Sequence, residues 1–309
     1  MIVPVLCSFE IFALYPLTDA DFTLEGANQM KTHLVNLILL SEKRKSLLFL
    51  LAEGPRDIDE TLNLLQISRV SLLPQIKKLK EEGLIFQKGD VLYLSIIGGI
   101  LVNKVRPLLD AASTIGDNDY FWTSRKLDSV PLHLLKRIGY LKRIQLIEPC
   151  LAHGFDLFPE LISYFNEASK AMLLFSYFHP QIPSFSLYLA KKGVQLQLLL
   201  SKDSFNRFSE DFRDTGEKIL AKKNASIFVH AGTPLEIPAL IAVSEKIILL
   251  GFFNKKGRFE GQYLLSSEPS ALVWGRELFE YYAQRSEKVC SMDFPNPVSG
   301  NQRVSDDMK

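Results

Sequence analysis

Between Asp57 and Ser95 the chain changes pattern in an order that leaves few folds open. Asp57 to Leu65 reads as a short amphipathic helix and Arg69 to Gly83 as a second. Two β runs follow, Leu84-Ile85-Phe86 and Val91-Leu92-Tyr93-Leu94, joined by only the four residues Gln87-Lys88-Gly89-Asp90. Helix, turn, helix, hairpin is the layout of a winged helix-turn-helix, which lays its second helix in a major groove and rests a β-wing on the flanking backbone. At about 100° per residue, Leu72, Leu73, Ile76 and Leu79 fall on one side of that second helix and are expected to face a core. Val70, Ser71, Pro74, Gln75 and Lys78 fall opposite, a set of small, amide and cationic groups suited to base edges, methyl groups and phosphates. Arg69 at the helix start, Lys77 and Lys80 on its flanks and Lys88 at the wing tip have the charge and reach that phosphate contact requires. The plainer alternative is a solvated amphipathic helix followed by an ordinary hairpin. The arrival of the hairpin directly after Gly83, with a lysine in its turn, favours the DNA reading.

Pro74 fits a regular helix badly, because it has no amide hydrogen and would clash with the carbonyl of Val70, at a cost of roughly 3 kcal/mol. If Ser71 is the N-cap, Pro74 falls in the first turn and the clash disappears. Otherwise the first turn is irregular.

At 309 residues and 47% hydrophobic, the chain is too long for one winged helix and has apolar matter for a second core. A net charge of +1 excludes a general polyanion binder. From Ser68 to Asp90, however, Arg69, Lys77, Lys78, Lys80 and Lys88 outnumber Glu81, Glu82 and Asp90. Affinity is then expected to lean on shape, base contacts and two DNA-binding units per assembly. Cys7, Cys150 and Cys290 are scattered and odd in number, which suits a reducing interior and no disulfide framework or zinc set. No apolar run reaches spanning length, and the apolar start from Met1 to Leu17 lacks a basic n-region and contains Glu10, so a cytoplasmic protein without membrane contact is expected.

Residues 1–29 read as an extension that need not be native, and Leu34 to Leu51 as the first helix, closed by Glu53-Gly54-Pro55. Ser95 to Leu109 is again helical and is expected to pack on the first helix or on a second subunit. Ala111 to Asp119, small and polar, reads as a linker. The expected domains are therefore 30–112 for the winged helix, 113–143 for a connector, 144–290 for an α/β domain and 291–309 for a disordered tail. Strands are predicted at Ile144 to Ile147, Met172 to Tyr177, Val194 to Leu200, Ser226 to His230, Ala239 to Val243, Ile247 to Phe252 and Gly261 to Leu265. Helices are predicted at Pro159 to Ala168, Phe185 to Lys192, Asp203 to Lys222 and Pro269 to Ser286. The fold class is an α+β winged domain followed by an α/β domain with a mixed sheet.

Ser41-Glu-Lys-Arg-Lys45, Leu73-Pro-Gln-Ile-Lys-Lys-Leu79, Val105-Arg-Pro-Leu-Leu-Asp110, Leu134-Leu-Lys-Arg-Ile-Gly139 and Leu146-Ile-Glu-Pro149 together resemble an archaeal family of winged-helix methanogenesis regulators. The likeness continues through Phe178-His-Pro180, Trp274-Gly275 and Phe279-Glu-Tyr281, and Pro74 agrees with the family pattern. That family is similar in layout to regulators that join a winged helix to a sensor domain of degenerate phospholipase D type. The resemblance thus implies a transcriptional regulator that binds double-stranded DNA, forms a homodimer and senses a small-molecule effector or protein partner.

Catalysis of the phospholipase D kind needs a His nucleophile, a Lys two residues on and an Asp after four more. The best local match has Ser244, Lys246 and Gly251 at those places, so no phosphodiesterase is expected. The other reading weighed is a winged helix that binds protein instead of DNA. His153, with Asp156 and Glu148 near, is read as surface loop and not as a metal site. No phosphate-binding glycine loop or other cofactor motif occurs, since Gly98-Gly99 lies in a helical run without its Lys-Ser/Thr partner. His179, at the end of an apolar strand where α/β domains bind ligands, is a candidate for an effector pocket, with Glu148, Ser244, Lys246, Arg258 and Trp274 as weaker members.

Overall fold

The structure, a computed structural model, describes residues 28–149 and 159–290. The chain divides between Val105 and Arg106 into two compact units. The first contains α1 (Asn28–Leu39), α2 (Glu42–Leu51), β1 (Arg56–Asp57), α3 (Ile58–Leu65), α4 (Arg69–Glu81), β2 (Ile85–Lys88) and β3 (Val91–Leu94). Helix α5 (Ile96–Gly116) then runs across the division. The single helix expected over Leu34 to Leu51 is in fact two, because Ser41 adopts extended backbone and its hydroxyl accepts from the Arg44 amide at 3.4 Å, capping α2. Strand β1 pairs antiparallel with β3, giving a three-stranded sheet in the order β1-β3-β2. Two residues are too few to show a period-2 pattern, so β1 left no trace in the sequence. The hairpin turn between β2 and β3 places Gly89 at φ +60°, a conformation that costs glycine little.

Leu47, Leu48 and Leu51 of α2, Ile58 of α3, Leu72, Ile76 and Leu79 of α4, and Leu84, Ile85 and Leu92 of the hairpin are all buried and form this unit's core. Leu73 does not join them. It is 43% exposed, because it lies about 100° round the helix from the centre of the Leu72-Ile76-Leu79 stripe. The late helix start also fails to occur. Ser68 is the extended N-cap, and the amides of Ser71 and Leu72 both reach its carbonyl at 3.0 Å, so α4 begins regularly at Arg69 and Pro74 lies inside it. Val70 and Pro74 are both exposed, which puts the carbonyl that lacks its helical donor on the outward side.

The segment read as a linker, Ala111 to Asp119, is instead helical as far as Gly116. Its small residues include two alanines, strong helix formers, and composition alone hid that. The second unit continues with α6 (Asp119–Ser124), α7 (Leu132–Leu135), a 3-10 turn at Ile138–Leu141, β4 (Gln145–Ile147), α8 (Pro159–Phe165), β5 (Lys170–Phe175), α9 (Ile182–Lys191) and β6 (Gln195–Ser201). It ends with α10 (Lys202–Asp211), α11 (Arg213–Leu220), β7 (Ala225–His230), β8 (Leu240–Val243), β9 (Ile248–Gly251), β10 (Tyr263–Ser266), α12 (Pro269–Ala283) and β11 (Glu287–Lys288). The one helix expected over Asp203 to Lys222 breaks at Phe212, whose φ of −135° is not helical.

All seven strands expected from sequence are present, within one eight-stranded sheet ordered β11-β7-β6-β5-β8-β9-β10-β4. The added strand, β11, is a two-residue edge on β7. Strands β5, β6 and β7 are parallel and the remaining pairs antiparallel, so the sheet is mixed, as the α/β reading required. Alternate residues of β5 serve two cores: Ala171, Leu173 and Phe175 pack with α8, α9 and α10, while Met172 and Leu174 pack with α6, α7 and α12. Coverage on both faces explains why β5, β6, β8 and β9 read as continuous apolar runs.

Candidate nucleic-acid interface

The outward ridge of α4 is made by Val70, which is 84% exposed, with Leu73, Pro74 and Lys77. Ser71 and Gln75 are half-buried, turned toward the start of α2. There Lys43 donates through Nζ to the Ser71 hydroxyl, and Arg44 Nη1 donates to Gln75 Oε1 at 2.8 Å. Arg44 is itself fixed by donating to the Leu37 carbonyl. Lys43 and Arg44 are thus members of this surface that pattern reading missed. The basic cluster was visible in the sequence, but its proximity to α4 depends on the packing of α2 against it.

The cations expected at phosphates sit around that ridge. Arg69 pairs with Asp59 at 3.2 Å and Lys77 with Glu81 at 3.9 Å, both between well-exposed side chains. Such pairs contribute at most about 1 kcal/mol and exchange readily for a phosphate. Lys80 Nζ donates to Gln87 Oε1 at 3.0 Å, and Gln87 Nε2 donates to the Gly89 carbonyl at 2.8 Å, which braces the wing against α4. On the wing, Phe86 and Tyr93 stack with centroids 5.1 Å apart and planes within 8°, and the Lys88 ammonium lies 5.8 and 5.9 Å from the two rings. Lys88 is therefore held by a cation–π contact while remaining exposed. Lys78 lines a shallow depression of about 410 Å³ shared with His33, Asn36, Arg44 and Glu82.

The six residues expected at an effector pocket do not converge. His179 follows β5, and its Nδ1 accepts from the Gln181 amide at 3.2 Å at the start of α9. Ser244 and Lys246 occupy the tight turn between β8 and β9, at the opposite end of β5, where Glu245 accepts from the Ser169 amide at 2.7 Å. The Ser244 hydroxyl accepts from the Lys246 and Ile247 amides, both at 3.1 Å, and Lys246 pairs with Glu167 at 2.9 Å. Trp274 is buried in α12 with its Nε1 donating to the Leu134 carbonyl at 2.9 Å, so it packs the core. Arg258 is exposed in the loop after β9, its amide held by Asn254 at 2.9 Å. Glu148 accepts from Gln262 at 3.1 Å, in a network that also ties the buried Arg125 to Gln262 and Glu260. Hydrogen bonds from Arg125 and then Asn254 hold the Glu260 carboxyl below the usual range. His153 and Asp156 lie outside the described residues.

At Gly251, a Cβ would come within 2.8 Å of the Phe259 ring, so that ring occupies the space a carboxylate would need. A separate cavity of about 320 Å³ opens beside α10 and the sheet edge, lined by Lys202, Phe205, Val229, Glu287 and Lys288. None of these was singled out from sequence. Their juxtaposition depends on the two-residue strand β11. Among the described residues, no helix is long and apolar enough to cross a membrane.

Residues 154–285 match the family model described as the middle domain of methanogenesis regulatory protein FilR1. Over 260 residues the chain is 23% identical to the methanogenesis regulatory protein FilR1 of Methanothrix harundinacea (strain 6Ac), covering 82% of this chain and 58% of that protein. The chain thus spans little more than half the length of that curated relative. Both matches support a methanogenesis regulatory family, the one whose likeness the sequence motifs carry. Among solved structures, TrmBL2, an archaeal chromatin protein described as showing a novel mode of DNA binding, aligns at TM-score 0.39 and 12% identity over 85% of this chain and 100% of its own. Nuc of Salmonella typhimurium, a phospholipase D family member, aligns at TM-score 0.33 and 13% identity over 47% of this chain and 97% of its own. Both structural likenesses are loose.

Proposed function

We propose that this chain is a DNA-binding transcriptional regulator of the methanogenesis regulatory family, reading sequence through α4 and holding backbone through α2, α4 and the wing. The observation that carries the proposal is an exposed helix ridge ringed by Lys43, Arg69, Lys77, Lys80 and Lys88 beside a braced β-hairpin. Together with Val70, Ser71, Pro74, Gln75 and Lys78, these residues form the DNA-binding set. Ile96, Ile97 and Ile100 of α5 are more than half exposed, an apolar run that suits burial against a second copy and hence a homodimer. The unit beginning at Arg106 takes the sensing role, with the cavity beside α10 as the place for an effector, whose binding shifts the population of DNA-competent dimers.

Phosphodiesterase chemistry is disfavoured because Ser244 and Lys246 lie in a turn at one end of β9 and Gly251 at the other, under Phe259. A protein-binding role is favoured only by the apolar ridge of α4, and the surrounding cations oppose it. The test is a mobility-shift assay with fragments of the host genome over a range of salt. Binding that weakens steeply with salt, and that is lost when Arg69, Lys78 and Lys88 are all changed to Ala, is expected. Unchanged binding by that triple variant would overturn the proposal.

A further inference from the structure

We infer that α4 recognises its DNA site mainly through the 5-methyl groups of thymine, with Val70, Leu73 and Pro74 as the reading surface. The inference rests on the DNA-binding role proposed above and adds the chemical feature that is read.

Of the polar side chains of α4 that could read base edges, Ser71 and Gln75 are engaged within the protein, and Lys78 lines the depression shared with His33 and Asn36, to the side of the ridge. A guanidinium has donors and no acceptor, so only the carbonyl oxygen of Gln75 can face Arg44, and that oxygen accepts from Arg44 Nη1 at 2.8 Å. Bidentate reading of adenine needs both the donor and the acceptor of a glutamine amide, and here the acceptor is turned inward. The Ser71 hydroxyl accepts from Lys43, and Arg69, whose exposed pair with Asp59 exchanges readily, is placed at the helix start for a phosphate. Beside Lys77, the outward ridge of α4 consists of Val70 at 84% exposure, Leu73 at 43% and the ring of Pro74, none of which can donate or accept a side-chain hydrogen bond.

An exposed apolar ridge without cations would suit a protein partner. This one is bordered by Lys43, Arg69 and Lys77, with Lys88 on the braced wing, and that charge complements a polyanion. In the major groove the apolar feature a ridge of this kind can meet is the thymine methyl, present on A·T and T·A pairs and absent from G·C pairs. Pro74 contributes by its position. It is exposed and inside the helix, offering a rigid apolar face where most residues would project a flexible chain.

The test uses the full-length protein and a random-sequence duplex library. Enriched duplexes are remade with deoxyuridine in place of thymidine at each position, a change that removes the methyl and leaves base pairing intact. Affinity is expected to fall about fourfold for each methyl contacted, at positions clustered within one major-groove face. The double variant Val70→Ser, Leu73→Ser, which alters only exposed side chains, is expected to lose this thymine-over-uracil preference while keeping the salt dependence of binding. Enriched duplexes that bind equally well with uracil, or a double variant that still discriminates, would overturn the inference and leave the regulator reading standing. Failure to retain any duplex, from the library or from genomic DNA, would overturn both and assign the ridge to a protein partner.

Discussion

Lys88 shows how a single side chain is prepared for its role, because the stacked rings of Phe86 and Tyr93 limit where its ammonium can go. Preorganised in this way, it loses less entropy on meeting a phosphate. Lys88→Ala is expected to weaken binding to all DNA sequences alike and to lower the slope of log affinity against log salt by about 1, measured by anisotropy titration. A second residue-scale consequence concerns His230, whose Nδ1 is buried without a hydrogen-bond partner beside the Tyr282 ring, 5.7 Å away. Burial pushes its pKa below the ordinary value of 6.5, and Glu236 only partly opposes this. The unfolded chain therefore takes up this proton first as pH falls. Stability is fully present above pH 6.5 and declines as pH drops from there to the lower folded value. Urea midpoints at pH 7.5 and 5.5 should differ less in a His230→Gln variant than in the parent; an equal difference would remove His230 from the account.

At the level of elements, α4 depends on one buried stripe. Leu79 is fully buried in it, and Leu79→Ala should cost about 2–5 kcal/mol in denaturant unfolding of the first unit. Pro74→Ala should act in the opposite direction, restoring a helical hydrogen bond and raising stability by about 1 kcal/mol or more. Much of this architecture was legible in the sequence. The α4 periodicity, the hairpin and all seven longer strands follow from local pattern, because each element buries a face that its own spacing defines. The four-residue loop instead shrinks to Gly89 and Asp90, because Gln87 and Lys88 pair with Leu92 and Val91. What escaped was non-local or brief. The break at Ser41 rests on one capping hydroxyl, β1 and β11 are two residues each, and the alliance of Arg44 with Gln75 joins positions 31 residues apart. That the six effector candidates do not converge has the same cause. Strand ends look alike in sequence, and only the sheet order shows that His179 and Ser244 lie at opposite ends of β5.

For the whole molecule, the two units divide the work proposed for them, one presenting α4 and the wing, the other a doubly covered mixed sheet. The sheet unit is secured around Arg125, 3% exposed, whose guanidinium lies 5.0 Å from the Phe121 ring and pairs with Glu260. Glu260→Ala leaves that buried charge without its half-exposed carboxylate and should destabilise the second unit by about 1–3 kcal/mol, read by calorimetry, while DNA affinity below the transition stays unchanged. The central claim, that α4 enters a groove with the wing beside it, is tested most directly by tethered cleavage. Iron-EDTA is attached to Val70→Cys or Lys88→Cys in a protein whose native cysteines are replaced by serine, and the strands of an enriched duplex are mapped after reaction. Cleavage centred inside the selected motif from position 70, and on its flank from position 88, is the predicted result. Cuts scattered without relation to the motif, or the same pattern from both positions, would contradict it.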